Sequence, residues 1–280
     1  MAAVLDRPAS TLSIRRLQPN IGAEIAGVDL TQPLSQADRD AIWQALLDHH
    51  VIFFRDQFLD RDQHLAFARA FGDPVVDAKT VGTHAEIQPV RSGIGGDYVR
   101  AAWHADATYR DNPFFASILL AHEVPPLGGD TLFSSAKAAY DGLEPELRQR
   151  IEGLHAVHTG EGKANALFKT DAERDAYLDK FSGAVHPVVI RHPHSGEKLL
   201  YVSNGFAKRF VEIEGPEADA LLADLKYRFT YPEYQVRFQW QPGSIAFWDN
   251  RAVQHHGVGD YGDHYRYFER IVLAGPPPAA

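Results

Sequence analysis

The segment Trp103-His104-Ala105-Asp106 places an imidazole and a carboxylate two residues apart. On an extended strand, or at a strand end or bulge, residues i and i+2 face the same side, so both groups can reach one ion. Alone, such a pair is equally compatible with capping or a surface role. A second histidine far downstream changes the reading: His255, in Phe247-Trp248-Asp249-Asn250-Arg251-Ala252-Val253-Gln254-His255-His256. Two imidazoles and one carboxylate form a facial triad with three open coordination positions, the arrangement of Fe(II) enzymes that hold a cosubstrate together with O₂. Zinc is the chemical competitor, because catalytic zinc also accepts two histidines and a carboxylate.

A basic pair follows. Arg266 and Arg270 lie in Arg266-Tyr267-Phe268-Glu269-Arg270-Ile271 and share one side if that stretch is a strand. A guanidinium binds a carboxylate through two parallel hydrogen bonds, a geometry lysine does not reproduce. One arginine could hold the distal carboxylate of a cosubstrate, the other an anionic substrate. The alternative partners are Asp260, Asp263 and Glu269.

These residues need a frame, and the chain supplies one that is mainly β with α decorations. Short apolar runs separated by Gly, Pro and Asp predict strands at Ala116–Leu120, Thr131–Phe133, Val185–Ile190, Leu199–Val202, Gln235–Trp240, Ser244–Trp248 and Arg270–Leu273. Strands without a helix after each favour an antiparallel sandwich or barrel over a parallel α/β sheet. Earlier, Leu12–Leu17 and Ala23–Leu30 read as strands, and Val51-Ile52-Phe53-Phe54 as a buried one. Ser35 with Asp38, and Asp60 with Gln63, mark two helix starts, the second helix stopping at Gly72. Helical stretches are expected at Ser135–Leu154, Glu217–Phe229 and Asp171–Asp179. The polar segment 159–182 around the last of these is a candidate lid or substrate loop.

Composition sets outer bounds. The 280 residues are 45% hydrophobic and 23% charged, ample for a sizeable core, and no repeat or linker divides them, so one domain spanning 1–280 is expected. No apolar run approaches the roughly 18 residues of a membrane span, and the start MAAVLDRPASTLSIRRL lacks the pattern of a signal peptide. Without cysteine there is no disulfide, zinc–thiolate site or thiol catalysis; a cytoplasmic address fits. The net charge of -9 argues against nucleic acid, while one or two buried arginines can still create a local site for a small anion.

The chain resembles the taurine dioxygenase and phenoxyacetate-herbicide dioxygenase family of Fe(II)- and 2-oxoglutarate-dependent enzymes. The resemblance runs through Gly22-Ala23-Glu24-Ile25-Ala26-Gly27-Val28-Asp29-Leu30, Val51-Ile52-Phe53-Phe54-Arg55, Trp103-His104-Ala105-Asp106 and Gly128-Gly129-Asp130-Thr131. It continues in His186-Pro187-Val188-Val189, Trp248-Asp249-Asn250-Arg251 and the two late arginines. It implies a double-stranded β-helix (jelly-roll) core and His104, Asp106 and His255 as iron ligands, His255 rather than His256 because the family spacing ends there. It further implies that Thr131 and Arg266 bind 2-oxoglutarate and that Arg270 grips an anionic substrate. The cosubstrates would be 2-oxoglutarate and O₂, the products succinate, CO₂ and a hydroxylated substrate, and a homo-oligomer, dimer or tetramer, is usual in such enzymes.

The pattern also departs from the taurine enzyme. A histidine and a tyrosine that serve its sulfonate have no counterpart in Asp73–Thr83, and one of its asparagines aligns with Arg100. That argues against taurine itself, while Arg270 still points to an anion: a carboxylate, a sulfonate or a sulfate ester. Phe206, Tyr98, Arg100 and Tyr109 are further candidates for contact with substrate. Two other readings remain open on sequence: a metal-dependent hydrolase on the same triad, and a non-catalytic metal-binding jelly roll.

Overall fold

Val51-Ile52-Phe53-Phe54 is apolar at every position because its strand is covered on both faces. In the computed structural model, which describes residues 11–76, 83–93 and 102–280, Val51 and Phe53 belong to one core while Ile52 and Phe54 belong to another. Ile245–Asp249 beside it behaves alike, sending Ala246 and Trp248 to the first core and Ile245 and Phe247 to the second. The strand period of two thus sorts side chains between two layers.

Seven strands make the larger sheet, in the order Ser13–Arg16, Ala23–Ala26, Val51–Phe54, Ile245–Asp249, Ala116–Glu123, Arg266–Leu273 and Gln88–Ser92. Neighbours are antiparallel except Ala23–Ala26 with Val51–Phe54, which run parallel. Helices Gln36–His49 and Arg61–Arg69 cover its outer face through Ile42, Leu46, Leu65 and Phe67. Ser35 caps the first by accepting from the Asp38 amide, and Asp60 and Gln63 form a reciprocal capping box on the second.

The inner face packs on a three-stranded sheet ordered Gln235–Phe238, Thr131–Ser135, Val253–Gly257. Aromatic side chains bridge the layers: Phe53 stacks on Phe238 with centroids 4.0 Å apart and meets Phe133 edge-on at 5.5 Å. Each such buried ring contributes roughly 1.5–3 kcal/mol from area removed from water. Two smaller sheets extend this side, His155–His158 between Ala184–Pro187 and Ala207–Phe210, and Lys198–Leu200 with Val189–Arg191.

The observed elements differ from the expected ones in instructive places. Val185–Ile190 splits at Val188 into strands of different sheets, since Pro187 has no N–H with which to continue a ladder. Ser135–Leu154 divides into Ala136–Asp141 and Pro145–Ile151, because a residue before proline avoids the helical region and Glu144 is extended at ψ 147. The second helix ends at Arg69, before Gly72. Strand Arg270–Leu273 starts earlier, at Arg266, so both arginines lie on it. Helix Glu161–Leu167 and strands Gln88–Ser92, His155–His158, Ala207–Phe210 and Val253–Gly257 were not anticipated. Among the described residues no helix is long and apolar enough to cross a membrane.

Candidate active site

His104 and His255 face one another across a single antiparallel bridge. The His104 amide donates to the His255 carbonyl at 3.0 Å and the His255 amide returns a bond at 2.8 Å. Such a doubly bonded pair puts both side chains on one face, and the ring centroids are 4.2 Å apart. The His-x-Asp segment is therefore one bridge residue rather than a full strand, and the chain turns after it, with Ala107 at φ 58. Asp106 closes the group: one donor atom from each of His104, Asp106 and His255 lies within 4.8 Å of the others. His104 Nε2 is 3.8 Å from Asp106 Oδ1.

The protonation states suit a cation. His104 Nδ1 donates to the Ala102 carbonyl at 2.8 Å, which fixes the tautomer and leaves the Nε2 lone pair facing Asp106. Burial, then the neighbouring His104, pushes the His255 imidazole down to about 3, so it stays neutral, as a metal ligand must. Burial opposes ionisation of Asp106, but the Arg270 guanidinium, with Nη1 3.2 Å away, more than offsets it and holds the carboxyl below its usual range. Two partly buried imidazoles and a buried carboxylate make a donor set that fits a divalent transition metal.

Asp106 is oriented by a chain of buried polar groups. Ser117 donates to Asp106 Oδ2 at 3.0 Å, Asn250 Nδ2 donates to Ser117 at 3.0 Å, and Trp248 Nε1 donates to Asn250 Oδ1 at 2.9 Å. Outer partners of this kind fix ligand direction.

The inner face of strand Arg266–Leu273 carries Arg266, Phe268 and Arg270 at every second residue. Arg266 is 5% exposed, lies over the rings of Tyr261 and Phe268, and donates from Nη2 to the Gly129 carbonyl at 2.6 Å. Gly129 sits at φ 71, where an added Cβ would come 3.2 Å from Arg266 Nε, so this turn favours glycine on two counts. Arg266 Nε is buried with no hydrogen-bond partner, and among the described residues no carboxylate is in ion-pair contact with this guanidinium. A buried cation left unpaired costs several kcal/mol, so the arrangement calls for an anionic ligand. Thr131 is beside it on the cavity wall; its hydroxyl accepts from Trp240 Nε1 at 2.9 Å, which leaves its own proton to donate.

Arg270 is more heavily engaged. Its Nη1 is 3.2 Å from both Asp106 oxygens, while Nε and Nη2 donate to Gln88 Oε1 at 3.2 and 2.8 Å. Asp260, Asp263 and Glu269 do not take these arginines. Glu269 pairs instead with Arg61 and His122 on the outer face, and Asp260 with Arg237.

A cavity of about 280 Å³ opens between the sheets and joins these groups. It brings together His104, Asp106, His255, Thr131, Arg266, Arg270 and Phe206 of the expected residues. Tyr109 is one layer back, its ring 5.0 Å from that of Phe206. Tyr98 and Arg100 lie outside the described residues. Sequence reasoning missed Gln88, Ser117, Asn250 and Lys163. Asn250 was within reach through the Trp248-Asp249-Asn250-Arg251 motif, and Lys163 through the polar segment singled out at 159–182. Nothing local marks Gln88 or Ser117.

Comparison with known proteins agrees with this chemistry. The family model of taurine catabolism dioxygenase TauD, TfdA family matches residues 13–272. An alkylsulfatase from Acinetobacter baylyi is 36% identical over 292 residues, spanning 98% of this chain and 89% of that protein. An alpha-ketoglutarate-dependent sulfate ester dioxygenase from Pseudomonas putida is 36% identical over 288 residues, spanning 99% and 94%. The crystal structure of a taurine dioxygenase from Burkholderia xenovorans superposes with a TM-score of 0.81 at 37% identity, covering 96% of this chain and 93% of that one. That of AAD-2 in complex with Mn(II) and N-oxalylglycine gives 0.84 at 29% identity, covering 97% and 100%. The expectation of a 2-oxoglutarate-dependent dioxygenase is thereby met. The chain belongs to the TauD, TfdA family.

Proposed function

We propose that the protein is an Fe(II)- and 2-oxoglutarate-dependent dioxygenase that oxidises a small organic sulfate ester or sulfonate, with residues 1–280 as one catalytic domain. The two facing sheets are read as the halves of a double-stranded β-helix. The observation that carries the reaction class is the convergence of His104, Asp106 and His255 on a cavity that also holds the buried guanidinium of Arg266, which has no carboxylate partner among the described residues. The substrate class is supported by Arg270 in that cavity and by the sulfate-ester enzymes among the relatives.

His104 and His255 offer imidazole nitrogens and Asp106 a carboxylate oxygen to iron. Arg266 and the Thr131 hydroxyl hold the distal carboxylate of 2-oxoglutarate, the guanidinium through charge and the hydroxyl through its free proton. Iron with its two cosubstrates supplies the oxidising power that replaces a substrate hydrogen by hydroxyl, with 2-oxoglutarate leaving as succinate and CO₂. Arg270 binds the anionic head and so fixes which carbon faces the metal. Val90, Leu119 and Phe206 line the cavity with apolar surface that excludes water and accepts an alkyl or aryl tail. When the oxidised carbon bears the sulfate oxygen, the product is a hemiacetal sulfate. It collapses to the carbonyl compound, the C–O electron pair leaving with sulfate and the hydroxyl proton passing to solvent.

The test is anaerobic addition of Fe(II) and 2-oxoglutarate to the apoprotein, followed by admission of air with a panel of alkyl sulfates, sulfonates and aryloxy acids. A visible charge-transfer band on chelation, then succinate and sulfate formed in equal amounts, is the expected result. Sulfate released with zinc and without 2-oxoglutarate would identify a hydrolase instead.

A further inference from the structure

Among the described residues three cations reach the cavity: Arg266, Arg270 and Lys163. Arg266 stands with Thr131 and is taken by the cosubstrate in the reading above. Arg270 already shares its charge with Asp106 through Nη1 and spends Nε and Nη2 on Gln88. Lys163 is different. It stands on helix Glu161–Leu167, outside both facing sheets, and its ammonium donates to the hydroxyl of Tyr109 at 3.1 Å. Among the described residues no carboxylate is in ion-pair contact with it. The Tyr109 hydroxyl also accepts from Tyr177 at 2.7 Å, so the ammonium is aimed by a pair of phenols rather than neutralised.

We propose that Lys163 is the second anchor for the anionic head of the substrate, which is gripped by Arg270 from the sheet and by Lys163 from the helical segment. The assignment rests on the reading of an anionic substrate and narrows it. A sulfate ester or sulfonate has three terminal oxygens in a pyramid and can accept from a planar guanidinium and a point-like ammonium on different sides at once. A carboxylate has two coplanar oxygens, which one guanidinium satisfies. Lys163 therefore favours sulfur oxyanions over carboxylates of the same chain length. Tyr109 is a positioning residue that acts through Lys163, which explains why it stands behind the wall and not on it.

Calorimetric titration of the anaerobic Fe(II)–2-oxoglutarate enzyme with hexyl sulfate and with heptanoate tests this without turnover. Lys163→Met keeps most of the side-chain volume and removes the charge; it is expected to weaken hexyl sulfate about tenfold, the scale of one partly solvated charge-assisted hydrogen bond, and heptanoate by much less. Lys163→Arg is expected to restore most of the affinity, which a purely structural role would not require. Wild-type affinity of Lys163→Met for hexyl sulfate, or an equal loss for both ligands, overturns the assignment and leaves the reaction class standing. No binding of hexyl sulfate to the wild-type enzyme overturns the sulfate reading together with this one.

Discussion

The cavity has two unlike walls. One is made of strands: Arg266, Phe268 and Arg270 alternate along a strand paired on both sides, and Thr131 and His255 lie on neighbouring strands of the facing sheet. Every position there is tied to a ladder, so a shift of one side chain must move several backbone hydrogen bonds. The other wall is the turn after His104 and the helix Glu161–Leu167, linked by side-chain contacts such as Lys163 to Tyr109 and Tyr109 to Phe206. Groups assigned to metal and cosubstrate concentrate on the stiff wall and at its edge. The group assigned to substrate discrimination stands on the other, where exchange of a residue disturbs little backbone. Division of this kind lets one chemistry serve different substrates.

The difference can be broken most severely at the metal. Asp106→Ala removes the carboxylate and is expected to abolish detectable succinate formation with every substrate; metal analysis and a succinate assay check both consequences, and retained turnover would remove Asp106 from the ligand set. Next comes Arg266→Met, which on the proposed assignment strands the distal carboxylate of 2-oxoglutarate and is expected to raise its KM about 100-fold, as for loss of a charged hydrogen-bonding pair. The substrate preference should stay unchanged, because Arg266 is assigned to the cosubstrate and not to the substrate.

Behind the ladder lies a buried weakness. His64 on helix Arg61–Arg69 is 0% exposed, and neither ring nitrogen has a hydrogen-bond partner. Burial pushes its pKa down to about 4, with the Glu269 charge opposing and His122 assisting. An unfolded histidine takes up a proton near 6.5, so folding stability falls as pH drops from 6.5 to about 4, by up to ~1.4 kcal/mol per pH unit from this group. His64→Leu is expected to flatten that decline. Urea unfolding at pH 7 and pH 4.5 measures it, and identical pH dependence in the two proteins would refute the assignment. The smallest expected change is in orientation: Asn250→Ala loosens the hold on Asp106 and should lower kcat about tenfold, at the low end for loss of an outer partner.

Much of this site could be read in the sequence because its chemistry is carried by rare residue types at fixed spacings. His104, Asp106 and His255 stand out wherever they fold, and Arg266 and Arg270 need only a strand to align them. The covered strand at Val51–Phe54 was legible because burial on both faces leaves no polar position. Val253–Gly257 was not, since the inward place that patterning expects to be apolar holds His255 instead. Helix Glu161–Leu167 escaped because its composition has no apolar period to follow. Gln88 and Ser117 are ordinary polar residues whose roles arise only when distant strands put Arg270 and Asp106 beside them.

The bridge between His104 and His255 has a kinetic consequence. Residues about 150 positions apart meet there, a closure whose entropic cost is shared with the pairing of Ala116–Glu123 and Ile245–Asp249 beside it. Two backbone amides and two of the three proposed ligands belong to that one contact. Opening the segment away from its partner strand breaks both hydrogen bonds and would uncouple a metal held by the proposed ligands in a single event. Deuterium uptake at these two amides should then run at the pace of metal escape, so the lifetime of the loaded centre is written in backbone exchange as well as in activity.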